Sequence, residues 1–183
     1  FRTFNRTKIR LDFSSVEGPK AHRELLLGFS DITSDAYDYG YDAECGELNN
    51  NDLNLNFEGK NMNIQAYGPI TEDKVVPLNF SSSGNNSFEL KISELDNIDS
   101  SQEIYLKDNM TGEYFDLTQE TPYSFTSEAG KFNNRFEIVF QSEAKTLGIE
   151  ELKTTENFIY YQNNTRSLFV KKLNGSVTRF SPP

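Results

Sequence analysis

Four aspartates, Asp31, Asp35, Asp38 and Asp42, stand among Tyr37, Tyr39, Gly40 and Tyr41 and are the residues of this chain most suited to chemistry. Carboxylate oxygens converging in a loop are what calcium needs, since it takes about six to eight oxygen ligands. The spacing is not that of an EF-hand loop, which sets ligands at alternate positions and closes on a glutamate. The plainer reading is a solvated acidic loop whose aspartates make local turns with their own backbone. Tyr37, Tyr39 and Tyr41 would share one face if the segment were extended. Exposed rings on one face can stack on sugars, although packing is the commoner role for such aromatics.

Other chemistries have less to stand on. A chain with 28 Asp and Glu always contains carboxylate pairs of the kind glycosidases use, and nothing in the spacing selects one. His22 is the only histidine and lies beside Lys20 and Arg23, so a Ser-His-Asp arrangement would rest on that residue alone. Cys45 is the only cysteine, which excludes an internal disulfide; it reads as a small residue near a turn. No catalytic residue is expected, and no cofactor apart from calcium.

The elements that must position these residues are strands. Phe and Tyr supply a high aromatic share with no Trp, and aromatics suit half-buried sheet faces. Thr7 to Phe13 alternates with Ile9, Leu11 and Phe13 on one face, and Ser14 to Lys20 is the expected turn after it. Arg23–Phe29 is a strand or one short helical turn by pattern, and pairing with the preceding strand favours a hairpin. Leu53–Phe57, Asn61–Tyr67, Val75–Phe80 and Phe88–Ile92 follow as strands, and Pro77 suggests an edge or a bulge. Leu95 to Gln102 reads as a polar connection. The stretch from Ile104 to Phe140 then packs four strands into a short span, the first two joined by Asp108-Asn-Met-Thr-Gly112. A Gly-Lys-Phe-Asn-Asn loop at 130–134 is expected before the last of them. This pattern predicts an all-β, antiparallel sandwich of jelly-roll type over residues 1–142. Composition changes at Gln141 to Thr155, which gives a linker at 143–156, and three short strands in 157–183 form an appended β-unit.

A net charge of −10 argues against nucleic acid and anionic membranes as partners. No apolar run reaches the roughly 18 residues that a membrane-spanning helix needs. The opening Phe-Arg-Thr-Phe lacks a signal-peptide pattern, so the chain reads as a processed piece of something longer.

Several segments in order carry a family resemblance: Leu25-Leu-Leu-Gly-Phe-Ser30, Asp35 to Ala43, Val76-Pro-Leu78, Tyr105 to Tyr114, and Asn134 to Phe140. Together they resemble the β-sandwich module near the C-terminus of large secreted and surface proteins of the Bacteroidetes. The tail, Ile159 to Val170 and Asn174 to Arg179, is similar to the start of the C-terminal sorting domain of type IX secretion cargo. The resemblance implies export through the type IX translocon and its shuttle components, then display on the outer cell surface or release. It also implies service in adhesion, gliding or polysaccharide use. Ile159, Tyr160, Leu168, Val170, Gly175 and Val177 would form the sorting segment. A sorting domain continues through further strands, whereas this sequence ends at Arg179-Phe-Ser-Pro-Pro183. The expectation is therefore a non-enzymatic structural module, with a carbohydrate-binding module built on the tyrosine segment as the alternative.

Overall fold

A computed structural model of the chain describes residues 6–142, and the backbone of 158–162, 167–171 and 177–180. By internal packing the chain divides into two compact units, Phe1–Glu143 and Ala144–Pro183. The expected linker at 143–156 lies outside the described residues.

The first unit is all-β. Its strands are β1 (Thr7–Glu17), β2 (His22–Phe29), β3 (Ala43–Glu44), β4 (Asp52–Phe57), β5 (Lys60–Tyr67), β6 (Val75–Ser82), β7 (Asn86–Asp96), β8 (Tyr105–Asp108), β9 (Glu113–Asp116), β10 (Tyr123–Ser127) and β11 (Gly130–Val139). One hydrogen-bonded path joins them in the order β10-β7-β1-β2-β5-β4-β6-β11-β8-β9, with β3 pairing β5 off this path. The long sheet coils on itself until its two halves face each other, nearly a barrel. The pairings are antiparallel except β2 with β5, where Leu26 to Phe29 run alongside Ile64 to Tyr67 in parallel. That departs from a purely antiparallel sandwich, because the acidic loop and β4 carry the chain back before β5 is laid down.

Alternation sets the core. Ile9, Leu11 and Phe13 of β1 face inward with Leu25 and Leu27 of β2, and all are fully buried. Phe80 of β6 is the hub of the interior, meeting the rings of Phe13, Phe88, Phe125, Phe132 and Phe136 at centroid distances of 5.2–6.0 Å. Offset and edge-to-face pairs of this kind add about 0.5–1.5 kcal/mol each beyond their buried area. The outward positions of β1, β2 and β7 pair charges across strands: Lys8 with Asp96 at 3.0 Å, and Arg10 with Glu24 and Glu94 at 2.8 Å. Each such exposed pair contributes about 0–1 kcal/mol.

Several boundaries differ from the sequence reading. β1 runs on through Ser14 to Glu17, because β7 extends to meet it from Asn86 to Asp96 and supplies ladder partners the polar residues lack alone. The reversal is confined to residues 18–21, with Gly18 at φ +97°. The segment expected as a loop at 130–134 belongs to β11, whose first residues pair with Phe80 to Ser82. Pro77 lies on an interior strand. It is tolerated because the β4–β6 ladder ends one residue earlier, at Leu55 opposite Leu78.

The second unit holds β12 (Phe158–Gln162), β13 (Ser167–Lys171) and β14 (Val177–Phe180), an antiparallel meander in that order. Ile159 pairs with Val170, Tyr160 with Phe169, and Lys171 with Val177.

Candidate functional site

The loop between β2 and β3 carries the seven residues singled out for metal or sugar binding. It is not extended: Tyr41 and Asp42 both donate their amides to the Asp38 carbonyl, at 3.0 and 3.1 Å, and Gly40 has φ +86°. The three tyrosines consequently do not line one face. Tyr37 packs on Phe57 of β4 with ring centroids 6.2 Å apart. The Arg6 guanidinium lies 5.1 Å from the centre of the Tyr41 ring. Tyr39 projects alone, 93% exposed.

The aspartates hold the loop's shape. Asp38 accepts the Ser34 amide at 2.6 Å, and Asp42 accepts the Asp38 amide at 2.7 Å with one oxygen and the Ala66 amide at 2.6 Å with the other. Asp42 thereby ties the loop to β5. Asp35 takes the Gly68 amide at 3.1 Å and both oxygens meet Lys74 Nζ, at 2.6 and 2.8 Å. The hydrogen bonds from Lys74, with help from the Gly68 amide, hold the Asp35 carboxyl below the usual carboxylate range. Among the described residues Asp31 accepts only the neighbouring Ser30 hydroxyl, at 3.4 Å. Asp38 and one oxygen of Asp42 therefore brace the loop's own backbone, as Asp side chains do in turns, while Asp35 and the other oxygen of Asp42 tie the loop to residues 66–74. Among the described residues no three His, Cys, Asp or Glu side chains gather into a group that could hold a metal ion. Beneath the loop, Tyr67 donates its hydroxyl to Gln65 at 2.8 Å, and burial pushes its ionisation far above the ordinary range.

The strongest polar cluster lies elsewhere, where the two ends of the coiled sheet approach. Asp108 ends β8 and is 1% exposed; Arg135 of β11 is 6% exposed. Arg135 Nε and Nη2 donate to Asp108 Oδ2 at 3.1 and 3.0 Å, and Nη1 donates to the Thr126 carbonyl on β10 at 3.2 Å. The guanidinium lies against the rings of Phe125 and Phe136, 4.8 and 4.6 Å from their centres. Tyr123 of β10 donates its hydroxyl to Asp108 at 3.1 Å, and burial with the nearby Asp108 and Glu113 charges pushes its ionisation up to about 12. Asp108 Oδ1 also accepts the Met110 amide at 2.9 Å, which shapes the turn into β9. One carboxylate so links β8, β10, β11 and a hairpin turn. A bidentate arginine, a tyrosine and a backbone amide satisfy it as burial demands.

Arg135 faces inward because of a register shift in β11 between Phe132 and Phe136, which sets Arg135 and Phe136 both in the interior. Strict alternation would have put Arg135 outside with Glu137. Asp108, by contrast, shares the inward phase of Leu106, so its burial could be read from β8 alone. Of the other singular residues, His22 sits exposed beside Asp12 at 2.8 Å, and Cys45 Sγ donates to the Glu47 carbonyl at 3.0 Å. The sorting-segment residues Ile159 and Tyr160 fall on β12, Leu168 and Val170 on β13, and Val177 on β14; Gly175 lies outside the described residues.

A family model described as a domain of unknown function, DUF8693, matches residues 2–140. The chain belongs to that family. The match spans the large β unit and ends before the terminal meander. No curated protein and no solved structure matches the chain.

Proposed function

We propose that this DUF8693 chain is a non-enzymatic display module of a secreted or surface-exposed bacterial protein, whose terminal β-unit engages the type IX translocon and its shuttle components. The observation that carries the reading is the division into two compact units, with the second built from strands that coincide with the sorting-like segments. β12 takes in Ile159–Gln162, β13 Ser167–Val170 and β14 Val177–Arg179, all within the stretches that resemble type IX sorting sequence. The buried charges of the large unit also suit a structural role, since Asp108 and Arg135 engage one another and the strands around them. Adhesion, gliding or polysaccharide use would belong to the larger protein so displayed.

The test is export. A fluorescent reporter fused to residues 1–183 should accumulate outside a host with a working type IX system. It should remain inside when 144–183 is deleted or the translocon is disabled. Equal export of the deleted form would reject the reading.

A second reading, surface-polysaccharide binding through the tyrosine loop, has the exposed Tyr39 ring in its favour. Calcium would join it by drawing Asp38 and Asp42 away from their turns. A calcium titration that moves the Ser34, Asp38 and Ala66 amide resonances would support this, and unmoved resonances would remove it.

A further inference from the structure

Away from that loop, the sheet carries a groove of about 720 Å³ over β4, β6 and the start of β11. Asparagines dominate it: Asn49, Asn54, Asn61, Asn79 and Asn133 all line it, with Lys131 at one side. On its floor Asn54 donates to Asn63 Oδ1 at 3.3 Å, and Asn79 donates to Asn61 Oδ1 at 2.9 Å and the Lys60 carbonyl at 3.3 Å. Asn79 is 5% exposed, and its Oδ1 has no hydrogen-bond partner among the described residues. A buried acceptor left unmatched costs about 1–3 kcal/mol, a cost that a water or a sugar hydroxyl entering at the groove floor would remove.

We propose that this groove binds a short neutral oligosaccharide. An asparagine amide carries two donors and an acceptor, and those that the floor bonds leave over are the complement that hydroxyl groups on a sugar ring require. The charge balance of the groove excludes ionic recognition as its main device. Asp52, on one wall, is held by Arg23 through two bonds of 2.8 and 2.7 Å, which leaves Lys131 as the lone cation among the described lining residues. The net charge of −10 opposes polyanions as well. A peptide is disfavoured by the sheet order, because β6 is paired on both sides, by β4 and β11, and presents no free edge to an added strand. The volume falls within the roughly 300–1,000 Å³ typical of small-ligand sites. Recognition here rests on amides rather than on ring stacking, since the aromatic residue lining the groove, Phe80, is buried in the core.

The test uses the full 183-residue chain, labelled with ¹⁵N and titrated with cellohexaose, xylohexaose, mannohexaose and maltoheptaose. At least one should shift the side-chain amide resonances of Asn54, Asn79 and Asn133 saturably. Asn79→Leu should weaken that binding at least tenfold, and so should Asn133→Ala, an exposed substitution that leaves the core untouched. Tyr39→Ala should change nothing. The proposal is overturned if none of the four sugars moves these resonances, if the shifts centre on Tyr37–Tyr41, or if Asn133→Ala binds as tightly as the parent. These outcomes are independent of export, so failure of the secretion test leaves this one intact.

Discussion

Asp108 and Asp38 each accept the amide of a nearby turn residue, yet they sit in opposite surroundings. Asp108 is buried with Arg135 and Tyr123 at the seam between the ends of the sheet; Asp38 lies half-buried in a polar loop with its neighbours' amides for company. The same side chain is a lock in one place and a local brace in the other, and what differs is solvent. In a dry seam an ion needs every bond it has, so removing one partner strands the rest. In a wet loop, water replaces whatever is lost.

The largest effect should come from Asp108→Ala. It leaves the Arg135 guanidinium buried without its counter-ion and should cost about 3–5 kcal/mol in urea unfolding. A loss under about 1 kcal/mol would mean that the seam is open to water, and the contrast with the loop would vanish. Tyr123→Phe removes one bond to a buried carboxylate and should cost about 1.5–3 kcal/mol at neutral pH. Its pH signature is distinctive. Because the folded-state ionisation of Tyr123 is raised to about 12, the stability it adds is present below about pH 10 and is lost as pH rises toward 12. Urea midpoints measured between pH 9 and 12 should therefore fall more steeply for the parent than for the phenylalanine variant.

In the loop, Asp42→Ala frees the Asp38 and Ala66 amides and should cost about 1 kcal/mol, with faster hydrogen exchange confined to residues 34–42 and 66. Smallest of all is Lys74→Ala, which breaks the pair with the solvent-facing Asp35 carboxylate and should cost about 1 kcal/mol or less at pH 7. Asp35 ionises below its ordinary value in the fold, so this contribution holds above about pH 4 and disappears as acid passes through the lowered value. A Lys74→Ala deficit that failed to shrink as the pH falls below about 4 would contradict the pairing.

How far such features can be read ahead of a structure depends on what sets them. Period-2 alternation placed β1, β7 and β8 and the shared face of Ile9, Leu11 and Phe13, because burial on one face acts within each strand. The parallel β2–β5 pair was out of reach, since it depends on where a long loop returns the chain. The inward turn of Arg135 was out of reach for a related reason: a register shift against β6 creates it, and no local pattern announces a shift created by a partner strand. The tyrosine face failed because Gly40 adopts a positive φ and the aspartates fold the segment into turns. Asparagines 54, 61, 63 and 79 did leave a trace, polar residues at strand positions, but only the sheet order brings them side by side.

The seam is tested most directly by a double-mutant cycle on Asp108→Leu and Arg135→Met, read by urea unfolding. Each single change should cost about 3–5 kcal/mol by leaving one buried charge alone, while the double variant, with both charges gone, should be more stable than either. Losses that simply add, with the double variant the least stable of the three, would show that the two residues act independently and that the ends of the sheet are held by something else.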